Sequence, residues 1–186
     1  MVRADESLDA AFEAARAGDE HAFVKLWRVL QPPLLRYLTV RGNDSPEDLA
    51  AETWLQVVRD LKRFDGGLAE FRAWLFTVAR NRAIDHGRAR AARPAVPVAE
   101  PPSTEVMASA EVVVMNQVST ESALALVATL PPEQAELVML RVVAGLEVAD
   151  VAHIVGKKPG TVRVGVHRAL KALARELSDQ ETQEVT

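Results

Sequence analysis

Four prolines within nine residues, Pro94, Pro97, Pro101 and Pro102 in the run PAVPVAEPPSTE, constrain this 186-residue chain more than any other feature. Proline fixes its own φ, lacks an N–H and disfavours helix for the residue before it, so the run forbids helix and favours an extended connector. It divides the chain into residues 1–93, a linker at 94–117 and residues 118–186, and each flanking block is long enough for a small domain of its own. No internal repeat relates the blocks. The fold class expected is all-α, with two small helical domains joined by this Pro-rich linker. Ala, Leu, Val, Glu and Arg dominate both blocks, which favours helix.

The N-terminal block is patterned for four helices. The first runs from about Ser7 to Ala17 and stops at Gly18. The second covers about Glu20 to Thr39, is interrupted or kinked at Pro32–Pro33, and carries Phe23, Leu26, Trp27, Leu30, Leu34 and Leu38 as its apolar stripe. The third opens on Ser45-Pro46-Glu47-Asp48, a capping serine, a proline at the first helical position and acids in the first turn, and continues through Trp54, Val57, Val58 and Leu61. After a turn at Phe64-Asp65-Gly66-Gly67, a long helix from about Leu68 to Arg90 turns Phe71, Trp74, Leu75 and Val78 inward.

Beyond the linker, residues 109–129 form a weakly patterned helix, and Pro131-Pro132-Glu133 starts a firm one ending at Gly145. A short helix, Val148 to Val155, a tight turn at Gly156 and a last helix from about Pro159 to Leu177 complete a helix-turn-helix order. At 100° per residue, Val162, Val166, Ala169, Leu170, Leu173 and Leu177 converge on one face of the last helix, with Val164, Arg168, Lys171 and Arg175 opposite. Gly165, mid-helix, costs about 1 kcal/mol relative to Ala; it either admits a close backbone approach or is a tolerated defect.

Net charge is −4, which taken alone argues against a nucleic-acid partner. The distribution argues for one. Arg72, Arg80, Arg82, Arg88, Arg90 and Arg93 face only Asp85 between residues 71 and 93, a balance of +5. Lys157, Lys158, Arg163, Arg168, Lys171 and Arg175 face no acid between 156 and 175, a balance of +6. Two basic stretches in an acidic body suggest two anionic contacts. Lys157 and Lys158 at the positive end of a helix dipole add a third hint, because an anion there relieves their repulsion.

Other functions find little support. There is no cysteine for a disulfide, a thiolate metal site or thiol catalysis. His21, His86, His153 and His167 lack paired metal spacing, and there is no Gly-rich phosphate loop, so no catalytic residue, metal or cofactor is expected. No apolar run approaches the ~18 residues needed to span a bilayer, and the acidic N-terminus is unlike a signal peptide, so a cytoplasmic protein without membrane insertion is expected.

The stretch from Leu130 to Leu173, LPPEQAELVMLRVVAGLEVADVAHIVGKKPGTVRVGVHRALKAL, resembles the region-4 helix-turn-helix of bacterial sigma factors. LuxR-type regulators carry a similar helix-turn-helix, and a stand-alone regulator of that type is the alternative. SPEDLAAETWLQVVRDLKRF and FRAWLFTVARNRAIDHGRAR, within Ser45 to Arg90, discriminate: they are similar to region 2 of the extracytoplasmic-function (ECF) group of the sigma-70 family. The resemblance implies an alternative sigma factor that binds core RNA polymerase, through its beta-prime clamp helices and beta flap, and directs promoter-specific initiation. It also implies an anti-sigma partner covering the same surfaces.

Residue by residue, the resemblance places polymerase contacts at Asp48, Leu49, Glu52, Thr53, Gln56 and Asp60 on the third helix, with Leu49 in an exposed phase. Minus-10 reading falls to Thr77, Arg80, Asn81, Ile84 and Arg88, with Phe64 in a Phe64–Glu70 turn that traps an unstacked base or is plain core. Minus-35 reading falls to Lys158, Thr161, Arg163, His167, Arg168 and Lys171. Val164 and Gly165 stand where polar and basic residues are common in the family, and Ala51 where a glutamine is usual.

Overall fold

The computed structural model describes residues 2–42, 44–92 and 111–184, with side chains within 7–92 and 120–178. The whole of the Pro-rich run lies outside these residues. Among the described residues the chain is helical without strands: α1 (Val2–Arg16), α2 (Glu20–Val40), α3 (Pro46–Asp60), α4 (Leu68–Ala91), α5 (Glu111–Ala128), α6 (Pro132–Val138), α7 (Val148–Val155) and α8 (Pro159–Glu184). A 3-10 turn, Leu61–Arg63, follows α3, and a π-turn, Met139–Val143, extends α6. The C-terminal part of the expected linker, 111–117, is thus the beginning of a helix.

At the centre of the fold lies α2. Ala22, Leu26, Leu30, Leu34 and Leu38, each four residues on, form a buried stripe beside the fully buried Tyr37. Phe23 is only half-buried and Trp27 is exposed, so the inward face is narrower than the sequence suggested. The helix continues through Pro32 and Pro33. Those prolines free the carbonyls of Arg28 and Val29, whose residues are both exposed, on a side of the helix that water can reach.

Capping differs from expectation at one helix and appears at another. Ser45 stands before α3 without a side-chain capping bond, leaving Pro46 and the first-turn acids to define that start. Asp19 caps α2 by accepting from the Ala22 N–H at 3.0 Å. That bond holds the Asp19 carboxyl below its ordinary value. Its contribution is present above the usual carboxylate range and fades as pH falls through the lowered value.

The C-terminal helices cross closely at Gly165. A Cβ built there would lie 2.5 Å from Leu137 Cδ1, itself buried in the α6 face. The glycine therefore serves an internal close approach of α8 to α6. Gly165→Val is expected to destabilise the fold by about 1–3 kcal/mol through overpacking, read as a lowered Tm. A Tm at or above that of the parent would show that Leu137 yields freely. Leu170 and Leu177, expected to face inward, are exposed, because the core beneath α8 is filled by Val162, Ala169 and Leu173, with Val166 half-buried beside them.

The helices before and after residues 93–110 do not stand apart. Their buried residues form one continuous cluster. The π-turn packs on α2, with Met139 and Leu140 fully buried, and α7 packs on α4. This uses a second inward phase of α4: besides Phe71, Leu75 and Val78, Phe76, Ala79 and Ala83 are buried, and Phe76 meets the Tyr37 ring edge-on at 5.6 Å.

Candidate nucleic-acid and polymerase surfaces

The helix-turn-helix is closed by Gly156, in the left-handed conformation at φ +67°, where a side chain is strained. Lys157 N–H donates to the Ala152 carbonyl at 2.9 Å and sends the chain into α8. Val162, Ala169 and Leu173 anchor α8 inward, which leaves Lys158, Thr161, Arg163, His167, Arg168 and Lys171 all exposed. None of Lys158, Arg163, Arg168 or Lys171 forms an ion pair with a described residue, whereas Lys157 pairs with Glu133 at 2.9 Å. An acid-free cationic helix face, anchored by an apolar one, can take phosphates and base edges. Val164, 49% exposed at its centre, offers methyl groups instead of a donor.

The outer side of α4 is more heterogeneous. Asn81 and Arg88 are exposed and Ile84 half-buried, on a surface able to meet a strand of nucleic acid. Thr77 is half-buried and its hydroxyl donates to the Ala73 carbonyl at 2.8 Å. Arg80 is half-buried and engaged within the molecule: its Nε lies 2.9 Å from Glu136 of α6. Phe64 is half-buried in an aromatic cluster, with ring centroids 5.2 Å from Trp74, 5.7 Å from Phe71 and 6.2 Å from Phe12. Arg16 donates to the Phe64 and Gly66 carbonyls, pinning this turn to α1. A side chain at Gly66, φ +139°, would press on the Phe64 ring.

On α3 the expected face divides. Leu49 and Thr53 are buried, at 3% and 0% exposure, and Thr53 donates to the Leu49 carbonyl at 2.7 Å. The exposed phase expected for Leu49 is corrected: Leu49 belongs to the face packed on α2 and α4. Asp48 and Glu52 are exposed, Gln56 and Asp60 half-buried. Arg82 of α4 donates to Glu52 at 2.8 Å and to Gln56 at 3.0 Å, so part of the acidic face is engaged within the molecule. The exposed apolar residues on α3 are Leu55 and Val58, 58% and 56% exposed, beside exposed Ala51 and across from Val24 of α2. Sequence patterning missed Leu55 and set Val58 with the buried Trp54, Val57 and Leu61, because exposed and buried apolar residues alternate along this helix.

A third feature was unforeseen. Glu136 is the one buried ionisable carboxylate among the described residues. A single oxygen, Oε1, accepts from Tyr37 Oη at 3.0 Å and Arg80 Nε at 2.9 Å and meets Arg41 Nη1 at 2.6 Å. Burial first, and then the Glu136 charge, push the Tyr37 phenol above its ordinary pKa, so Tyr37 remains a donor at every physiological pH. Nearby, Arg72 Nη2 donates to the Ala144 carbonyl at 2.9 Å, just before the left-handed Gly145. Among the described residues no group of acids and histidines is placed to hold a metal, and no helix is long and apolar enough to cross a membrane.

A family profile for sigma-70 region 2 matches residues 22–93, and one for sigma-70 region 4 matches residues 120–173. The ECF RNA polymerase sigma factor BldN of Streptomyces coelicolor is 36% identical over 170 residues, which cover 90% of this chain and 64% of BldN. The ECF RNA polymerase sigma factor SigD of Mycobacterium bovis is 32% identical over 184 residues, 95% of this chain and 87% of SigD. The chain therefore spans under two thirds of BldN but most of SigD. In fold it is similar to the sigma factor RpoE of Bartonella quintana, solved in complex with the anti-sigma factor NepR. The TM-score is 0.59 at 23% identity, over 84% of this chain and 96% of that one.

Proposed function

Because this chain belongs to the ECF sigma factors of the sigma-70 family, we propose that it binds core RNA polymerase and directs it to particular promoters. Residues 1–93 serve as region 2 and residues 118–186 as region 4, the intervening 94–117 being the connector. The observation that carries the reading is the pairing of two differently equipped faces. The unpaired cations of α8 suit duplex DNA. The apolar, acid-rimmed outer face of α3 suits a protein with basic residues around an apolar centre. A stand-alone regulator of LuxR type has no use for the second.

Lys158, Thr161, Arg163, His167, Arg168 and Lys171 contact the minus-35 element. Asn81, Ile84 and Arg88 contact the minus-10 element, joined by Phe64 and Thr77 once DNA draws that surface into contact, and by Arg80 once it leaves Glu136. Polymerase docks on Asp48, Glu52, Gln56 and Asp60 with Leu55 and Val58, in place of the buried Leu49 and Thr53. The protein acts in the cytoplasm beside polymerase, without enzymatic activity of its own, and an anti-sigma partner controls it by covering these faces.

Reconstitution with core polymerase tests this reading. Promoter-specific transcripts are expected from a library of upstream fragments. Absence of initiation anywhere in such a library, with the protein folded, contradicts it.

A further inference from the structure

A carboxylate taken out of water is costly unless it is paired and hydrogen-bonded, and a buried ion pair is weak evidence for stability, since apolar residues of similar size do as well. Glu136 is paired entirely across the seam: Tyr37, Arg41 and Arg80 all come from α2, its C-terminal cap and α4. Both arginines are partly exposed, each side chain at 23%, and a cleft of about 340 Å³ between Val40, Gly42, Leu130 and Pro132 brings solvent to this end of the seam. All three charged groups can therefore be rehydrated if the halves part. Ionic contacts of this kind are best attested as registry or switch elements, which fix one arrangement against another.

The chemistry of the pair points to its function. Two guanidinium groups converging on one oxyanion form a site for phosphate as much as for carboxylate. Arg80 lies on the helix proposed to meet the minus-10 strand, and Arg41 lies beside it across the Glu136 oxygen. We propose that Glu136 is an internal substitute for a nucleic-acid phosphate: it latches the free protein closed, withholds Arg80 and Arg41 from DNA, and is displaced when single-stranded DNA takes its place. This assigns Arg41 a backbone-contact role and rests on the proposed function for the identity of the anion, while the latch itself rests on the geometry alone.

The chain has no cysteine, so two introduced ones can be labelled without side reactions. Lys25→Cys on α2 and Ala172→Cys on α8 lie at exposed positions. In the labelled full-length protein, without polymerase, energy transfer should report one closed population. Glu136→Gln should raise the open-to-closed ratio about 10- to 100-fold and strengthen binding of a mixed-sequence single-stranded DNA about 10-fold. Arg41→Gln should open the protein as well but bring no gain in DNA affinity, having removed a phosphate contact. Saturating single-stranded DNA should open the unsubstituted latch. Unchanged transfer in both variants overturns the latch. Opening by Glu136→Gln without tighter DNA binding, or no response of the parent latch to saturating DNA, overturns the phosphate substitution. If either variant loses helical circular dichroism, the DNA titration of the parent latch still decides. Failure of the sigma-factor reading would appear separately, as absence of initiation with polymerase while the transfer measurements stand.

Discussion

Leu55→Asp together with Val58→Asp is expected to weaken binding to core RNA polymerase by about 1000-fold while leaving the helical fold intact. Each side chain is more than half exposed, so neither substitution opens a cavity or buries a charge. Their apolar surface is what a partner would desolvate, and central apolar anchors of an interface typically contribute about 2 kcal/mol each. Charge reversal at Asp48 and Glu52 is expected to act less strongly and chiefly on the association rate, because rim charges steer encounter more than they hold it. Glu52 has the further complication of its bond to Arg82. Fluorescence anisotropy of the labelled protein against core polymerase measures both. Parent-like affinity in the Asp double variant would remove this face from the interface, and a lowered Tm would show that α3 is packed differently.

The contrast between Leu55 and Leu49 marks where sequence reading ran out. The start of α3 followed from Pro46 and the acids after it, and its inward side from Trp54, Val57 and Leu61, but Val58, read with them, is exposed. Which of several apolar phases turns inward depends on what packs against the helix, and α3 has apolar residues nearly all round. The opposite case is α8, where one-sided patterning placed Val162, Ala169 and Leu173 correctly and every predicted basic contact residue at the surface. Its error was at Leu170 and Leu177, beyond the edge of a core whose width only the partner helices set.

Gly165 and Glu136 were opaque for different reasons. The glycine was conspicuous, but its meaning lies in the distance from α8 to Leu137, a tertiary quantity. Glu136 was inconspicuous: an acid in a helix beginning Pro132-Glu133 reads as an ordinary first-turn or surface residue. Its burial comes from α2 and α4, about 56 to 99 residues away along the chain. The proline run supplied the division of the chain but carries no information on whether the halves then meet. Their meeting is a property of Tyr37, Phe76, Met139 and Leu140, all fully buried and none marked out in the sequence as a contact between the halves.

Removal of Arg168 and Lys171 should have the second large effect, and its signature is the salt dependence. Both side chains extend from the outer face of α8, neither forms an ion pair with a described residue, and both lie opposite the buried Val162 and Leu173. If each neutralises one phosphate of the minus-35 duplex, each contributes about 0.9 to the slope of log affinity against log salt concentration. Arg168→Ala with Lys171→Ala should therefore flatten that slope by about 2 and weaken promoter binding by the reconstituted holoenzyme about 100-fold at low salt. Because phosphate contacts are blind to sequence, the loss should be nearly uniform across minus-35 variants. Thr161→Ala or Arg163→Ala, nearer the N-terminus of the helix, should instead relax discrimination between variants with a smaller change in slope. A double variant with the parent slope would mean that these two cations point past the duplex. The cationic face would then have to be re-centred on Lys158 and Arg163, with Val164 beside them reading a thymine methyl group.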